Sequence, residues 1–167
     1  MSQTSLNGAV AIVTGGSTGY GYGIANVLRQ RGAQVWITAR RPDRLQAAAE
    51  KLGVQAVPAD VTVPSDWDRV VQTVLDKSGR VDVLINNAGA GINIAPLVDL
   101  SDDDIASCIA TNLTGVMYGC RRVAPCSRRR APAPSSTSPA SATSAWRGRR
   151  GWRSEERRVG KECMPVC

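Results

Sequence analysis

Residues 14–21 read Thr14-Gly15-Gly16-Ser17-Thr18-Gly19-Tyr20-Gly21, between the apolar run Val10, Ala11, Ile12, Val13 and a helical pattern carried by Ile24, Val27 and Leu28. Glycines at a strand-to-helix turn let backbone N–H groups approach a pyrophosphate, and the first turn of the helix meets it with partial positive charge. The chemistry on offer is that of a dinucleotide site. Gly15 and Gly19 permit the turn and a close approach, and Gly21 lets the helix pack on the strand. Ser17 and Thr18 bring hydroxyls toward phosphate or ribose oxygens, with a plain helix cap as their structural alternative.

A glycine-rich turn alone is a weak signal. Here the spacing is T-G-x-x-x-G-x-G, and three further motifs follow it. Asp60-Val61 ends the apolar segment at 54–57, Asn86-Asn87-Ala88-Gly89 follows the apolar run 81–85, and Asn112 stands in Thr111-Asn112-Leu113-Thr114-Gly115. In this order the four resemble the short-chain dehydrogenase/reductase superfamily, over about residues 6–118.

That resemblance implies a Rossmann-type, doubly wound parallel sheet and an oxidoreductase that interconverts an alcohol and a carbonyl by hydride transfer. It implies that Asp60 bonds near an adenine, with Val61 beside it, and that Asn87, Ala88 and Gly89 lie under the nicotinamide ribose. Asn112 takes the place of the catalytic asparagine. From the residues themselves, Asp60 can equally end a strand, and Asn86 can equally join neighbouring strands. Relatives that prefer NAD place a carboxylate at the end of the second strand, where this chain has Thr38-Ala39-Arg40-Arg41. Arg40 can form charge-assisted bonds to a ribose 2′-phosphate and Ala39 leaves room, so the expected cofactor is NADP rather than NAD. The alternative is a solvated arginine pair.

The family's chemistry also calls for a serine and for a tyrosine with a lysine four residues on, whose ammonium favours the phenolate. The only tyrosines are Tyr20, Tyr22 and Tyr118, and none has a lysine at that spacing. Tyr118 meets Arg122 instead; arginine does not replace lysine there, and Tyr118 follows Asn112 too closely. Negligible turnover is therefore expected of these 167 residues, and a non-catalytic dinucleotide-binding module is the alternative function.

The elements that must position these groups are legible from pattern and punctuation. Val10 to Val13 is a buried strand, and the helix after the turn stops at Gly32. Residues 33–39 form a second strand rich in β-formers. Pro42 starts a helix whose apolar face is Leu45, Ala48, Ala49 and Leu52, closed by Gly53. Ser65 with Asp68 is spaced like a cap for the helix carrying Val70, Val71, Val74 and Leu75. Ser101, followed by three aspartates, opens another helix with Ile105, Ile109, Leu113 and Val116 as its stripe. Strands alternating with helices of this length make a parallel α/β sheet.

The formal charge of +7 is unevenly placed. Residues 1–120 hold nine Lys/Arg against eleven Asp/Glu, and residues 121–167 hold twelve against three. The basic segment lacks interleaved aromatics, so no nucleic-acid partner is expected. Apolar runs are too short for a membrane span and no leader pattern opens the chain, so the expected location is cytoplasmic, with no membrane partner. Histidine is absent and the five cysteines form no C-x-x-C pair, so no metal site is expected. A small-molecule alcohol or carbonyl is the expected partner; the family's members are homo-oligomeric.

Family members run to roughly 250 residues as one domain, so residues 1–120 read as an incomplete NAD(P)-binding domain and 121–167 as a disordered or artefactual basic tail. Prolines and serines recur from 132 to 139 where a buried strand is due. Codons for residues 133–142, with the frame started one nucleotide earlier, can spell S-I-V-N-I-S-S-V-S, which resembles the family's fifth strand and its serine loop. Residues 153–163 can be encoded by a common short-read sequencing adaptor read in frame.

Overall fold

The computed structural model describes residues 5–89 and 96–128. The expectations for the segment beyond Arg128 lie outside the described residues.

Four short runs of apolar and β-branched residues become four parallel strands: β1 (Val10–Thr14), β2 (Gln34–Ala39), β3 (Gln55–Pro58) and β4 (Val83–Ile85), in the order β3-β2-β1-β4. The connections are helical: α1 (Gly19–Gln30), α2 (Pro42–Leu52) and α3 (Pro64–Ser78). The chain winds outward from β1 to β3 and then returns to lay β4 on the other side of β1. It thereby opens a crevice at the carboxyl ends of β1 and β4, where sheets of this kind receive ligands. Both faces of the sheet are covered. Val13, Val35 and Ile37 pack with Leu45, Ala48, Ala49 and Leu52 of α2 and Ala25 of α1. Ile12 and Trp36 pack with Val70, Val71 and Val74 of α3 on the opposite face. This is the expected doubly wound α/β sheet.

Punctuation acts as expected at α2, which has Pro42 in its first turn and Gly53 as a left-handed cap at φ 63°. At α3 the expected cap is corrected. The helix begins at Pro64, with Val63 as the uncapped preceding residue. Proline at the first helical position sets the start, which moves Ser65 inside the helix. Asp66 instead accepts the Asp60 backbone N–H at 2.8 Å, and Asp68 takes a two-pronged bond from Arg122, at 2.6 and 3.2 Å. The Asp60 N–H bond and then the Arg69 guanidinium hold the Asp66 carboxyl below its ordinary value of 3.8. A carboxyl lowered by folding stabilises the fold above its unfolded value and stops doing so as pH falls through the lowered one. Acid-induced unfolding followed by circular dichroism is thus expected to show a destabilising step below pH 3.8, and Asp66→Asn should reduce that step, with Asp68, whose carboxyl the Arg122 bond also lowers, keeping the rest.

After β4 come a 3₁₀ turn (Leu97–Asp99), α4 (Asp102–Ile109), one π-helical turn (Ala110–Thr114) and α5 (Gly115–Arg128). Ser101 and Asp104 cap α4 reciprocally, as a serine followed three residues later by an acid should. The apolar stripe expected to bury α4 does not do so. Ile105, Ile109 and Leu113 are exposed: no described element covers this face of α4, and the five-residue π turn interrupts the helical period before Leu113 is reached. α5 runs through the boundary expected at residue 120, continuing past Pro125 to Arg128. It is anchored by Val123, buried in the core, and by Gly119, which lies against Trp67 of α3; a Cβ added to Gly119 would sit 2.6 Å from the ring. No helix among the described residues is long and apolar enough to cross a membrane.

Candidate functional site

Thr14, the last residue of β1, organises the crevice from below. Its Oγ1 donates to the Ile85 carbonyl at 3.3 Å and accepts the backbone N–H groups of Asn87 and Ala88, at 3.0 and 2.9 Å. Asn87 answers by donating Nδ2 to the Thr14 carbonyl at 2.9 Å. One buried hydroxyl therefore fixes the loop after β4 against the loop after β1. Each buried backbone group so satisfied avoids a penalty of about 1–3 kcal/mol.

The glycine turn is shaped by three different demands. Gly15 and Gly19 have φ values of 66° and 57°, which side chains resist. A Cβ on Gly15 would lie 2.9 Å from Asn87 Nδ2. One on Gly21 would enter the Gly15 carbonyl and Asn87 Nδ2, and one on Gly16 would lie 2.6 Å from Ile37 Cβ. The N–H groups of Gly15 and Gly16 both bond the Thr38 carbonyl, at 2.8 and 3.2 Å, tying the turn to β2.

Above this floor lies a cleft of about 360 Å³. From the first loop Gly15, Ser17, Thr18 and Tyr20 line it, from the end of β2 Thr38, Ala39, Arg40 and Arg41, and after β3 Ala59 and Val61. Asn87, Ala88 and Gly89 close one side and Thr111 reaches in from the π turn. Among the described residues the lining has two arginines and no acid. The start of α1 carries no acid in its first turn and no side-chain cap, Thr18 making no such bond. Its first-turn N–H groups and partial positive charge are therefore not answered by a side chain of the helix's own start.

Most of the residues singled out from the sequence meet here: Gly15, Ser17, Thr18, Tyr20, Arg40, Val61, Asn87, Ala88 and Gly89. Gly19 and Gly21 stand behind the lining and give it its shape. Asp60 lies between two lining residues without being one; its Oδ1 accepts the Thr62 N–H and hydroxyl at 2.9 and 2.8 Å, which turns the chain from β3 toward α3. Asn112 does not line the cleft. Its Oδ1 would lie 3.1 Å from a Cβ on Gly89, and its Nδ2 donates to Cys108 Sγ at 3.1 Å. Asn86 faces Cys120, its Nδ2 at 3.6 Å from the sulfur. Tyr118 and Arg122 are on another face: the guanidinium stacks 5.7 Å over the tyrosine ring and pairs with Asp68. Among the described residues no group of three or more His, Cys, Asp or Glu side chains is placed to hold a metal.

Sequence reasoning missed Thr14 and Thr38. Thr14 stood in the motif without a role, although a polar residue ending a buried strand has to find partners. Thr38 is 2% exposed, and its Oγ1 has no hydrogen-bond partner among the described residues. Such an orphaned polar atom in a cleft lining, beside an uncapped helix start and two arginines, fits a phosphate-bearing nucleotide.

The model of the family described as short chain dehydrogenase matches residues 9–133. The chain belongs to the short chain dehydrogenase family. It is 34% identical over 126 residues to an uncharacterized oxidoreductase of Staphylococcus haemolyticus, covering 74% of this chain and 54% of that one. It is 40% identical over 120 residues to the 11-beta-hydroxysteroid dehydrogenase-like 4A protein of Arabidopsis thaliana, covering 68% and 40%. Among solved structures it is similar to a 3-ketoacyl-(acyl-carrier-protein) reductase from Brucella melitensis complexed with NADH, with a TM-score of 0.71, 32% identity and coverage of 73% and 51%. It is also similar to the Pseudomonas aeruginosa RhlG/NADP complex, with a TM-score of 0.72, 35% identity and coverage of 77% and 52%. The chain thus spans about half the length of these relatives.

Proposed function

We propose that the cleft binds NADP, with NAD as the weaker ligand, in the cofactor half of an enzyme that interconverts a small-molecule alcohol and a carbonyl. The observation that carries this reading is the acid-free cleft at the carboxyl ends of β1 and β4, lined at the end of β2 by Arg40 and Arg41. The uncapped start of α1 meets the pyrophosphate, and Ser17 and Thr18 bond its oxygens or the neighbouring ribose. Arg40 holds the 2′-phosphate, which an acid at that place would repel. Asp60 steadies the loop that presents Val61 to the adenine. Asn87, Ala88 and Gly89 support the nicotinamide ribose, with Asn112 at the catalytic end behind Gly89. The nicotinamide supplies the hydride chemistry. Solved relatives complexed with NADH and with NADP support both members of the nucleotide pair as ligands.

Titration calorimetry tests the assignment. The chain is expected to bind NADP more tightly than NAD. Arg40→Ala should weaken NADP about tenfold to a hundredfold, the effect of losing charge-assisted bonds, and leave NAD within about twofold. Tighter binding of NAD by the unaltered chain would overturn the preference.

A non-catalytic dinucleotide module is the second reading, and a specific observation favours it for these residues. Arg122 pairs with Asp68 and stacks over the Tyr118 ring, on a face away from the cleft. No other tyrosine has a basic residue at the family's spacing. Following NADPH absorbance with a ketone present should show negligible consumption; sustained turnover would refute this second reading.

A further inference from the structure

We infer that Thr38 is a recognition residue for the nucleotide: its hydroxyl hydrogen-bonds the adenosine moiety shared by NADP and NAD, directly or through one held water. This rests on the reading that the cleft takes a dinucleotide, and it adds a contact that the glycine turn and Arg40 do not supply.

The argument begins with strand geometry. Side chains two apart in a strand share a face. Trp36 packs on the α3 side of the sheet, where its Nε1 donates to Ser78 at 3.0 Å, so Thr38 lies on that side too. On that side Ala59 and Val61 line the cleft beyond the end of β3. Ala39 points to the opposite face, and Arg40 stands past the strand end. Thr38 therefore faces the Ala59 and Val61 wall of the cleft rather than the open end where a 2′-phosphate meets Arg40.

Its register partner on β1 is Thr14, the same residue type at the same level of the sheet. The two differ in one respect. Thr14 Oγ1 makes three hydrogen bonds, whereas Thr38 Oγ1 makes none among the described residues although the residue is 2% exposed. A buried hydroxyl left without a partner destabilises the fold, and valine, of the same shape, would remove that penalty. Threonine at this position is thus a local conflict in the unliganded chain. Conflicts of this sort gather at sites that gain their missing partner on binding.

The test pairs stability with binding in the full chain. Thr38→Val is expected to unfold at a higher urea concentration than the unaltered chain without ligand. It should bind NADP, NAD and adenosine 5′-monophosphate about fivefold to tenfold more weakly, the effect of one neutral hydrogen bond. Thr38→Ser should keep the affinity. Equal weakening for NADP and NAD places the bond on the adenosine; weakening confined to NADP would overturn that placement. Unchanged affinity of Thr38→Val for all three ligands would overturn the inference while leaving the cleft reading intact. Absence of nucleotide binding by the unaltered chain would instead bring down the reading on which the inference rests.

Discussion

Thr14→Val is expected to lower the unfolding free energy by about 2 kcal/mol and to weaken NADP binding by more than about tenfold. Valine keeps the shape of the side chain but can neither accept nor donate. The Ala88 N–H then loses its 2.9 Å bond and the Ile85 carbonyl its 3.3 Å donor, while Asn87 N keeps its bond to the Ile85 carbonyl at 3.1 Å. The loop carrying Asn87, Ala88 and Gly89 is then left to the Asn87 Nδ2 bond to the Thr14 carbonyl, which loosens one wall of the cleft. Urea denaturation and calorimetry on the same preparation measure both effects. Thr14→Ser, which restores the hydroxyl, should recover most of each; a serine variant as weak as the valine one would mean that the methyl group carries the effect.

Gly21→Ala is expected to be more damaging to binding than to folding. The new Cβ has no free space: it meets the Gly15 carbonyl and Asn87 Nδ2. Backbone cannot yield as a flexible side chain does, so the overpacking costs about 1–3 kcal/mol. Relief requires the glycine turn to move away from Asn87, which displaces the N–H groups at the start of α1. NADP affinity should fall by about a hundredfold, because bonds to a charged phosphate depend closely on geometry. Gly23→Ala, in the same helix with nothing within 4 Å of the added atom, is the control. It should leave affinity unchanged and the fold no less stable, alanine being the better helix former.

These two variants mark what the sequence could and could not disclose. Gly15, Gly19 and Gly21 were legible because a turn between a strand and a helix leaves few other uses for that spacing. The helix ends at Gly32, Pro42 and Gly53 were legible because proline and glycine act through local backbone preferences. Thr14 and Thr38 act through partners far away in the chain, or through the absence of one, and no local pattern encodes that. Ile105, Ile109 and Leu113 read as one stripe because spacing reports a face and not what covers it, and the π turn that interrupts the period before Leu113 has no compositional signature. Ser65 and Asp68 show the opposite failure. Their spacing suits a cap, but Pro64 had already set the start of α3, and the acid that matters to the preceding turn is Asp66.

Asp60 was the ambiguous case, and its bonds to Thr62 show how one carboxylate can end a strand without lining the cleft. Its neighbour Val61 is held from behind by Trp67, whose Nε1 donates to the Val61 carbonyl at 2.9 Å. The same tryptophan receives Gly119 of α5. One indole thus links α5 to the cleft wall.

The most direct test is an amide chemical-shift map of the isotope-labelled full chain as NADP is added. Saturable shifts concentrated at Gly15 to Gly21, Thr38 to Arg41 and Asn87 to Gly89 are the expected result. NADP that leaves these amides unmoved, whether by binding elsewhere or by not binding, would contradict the account.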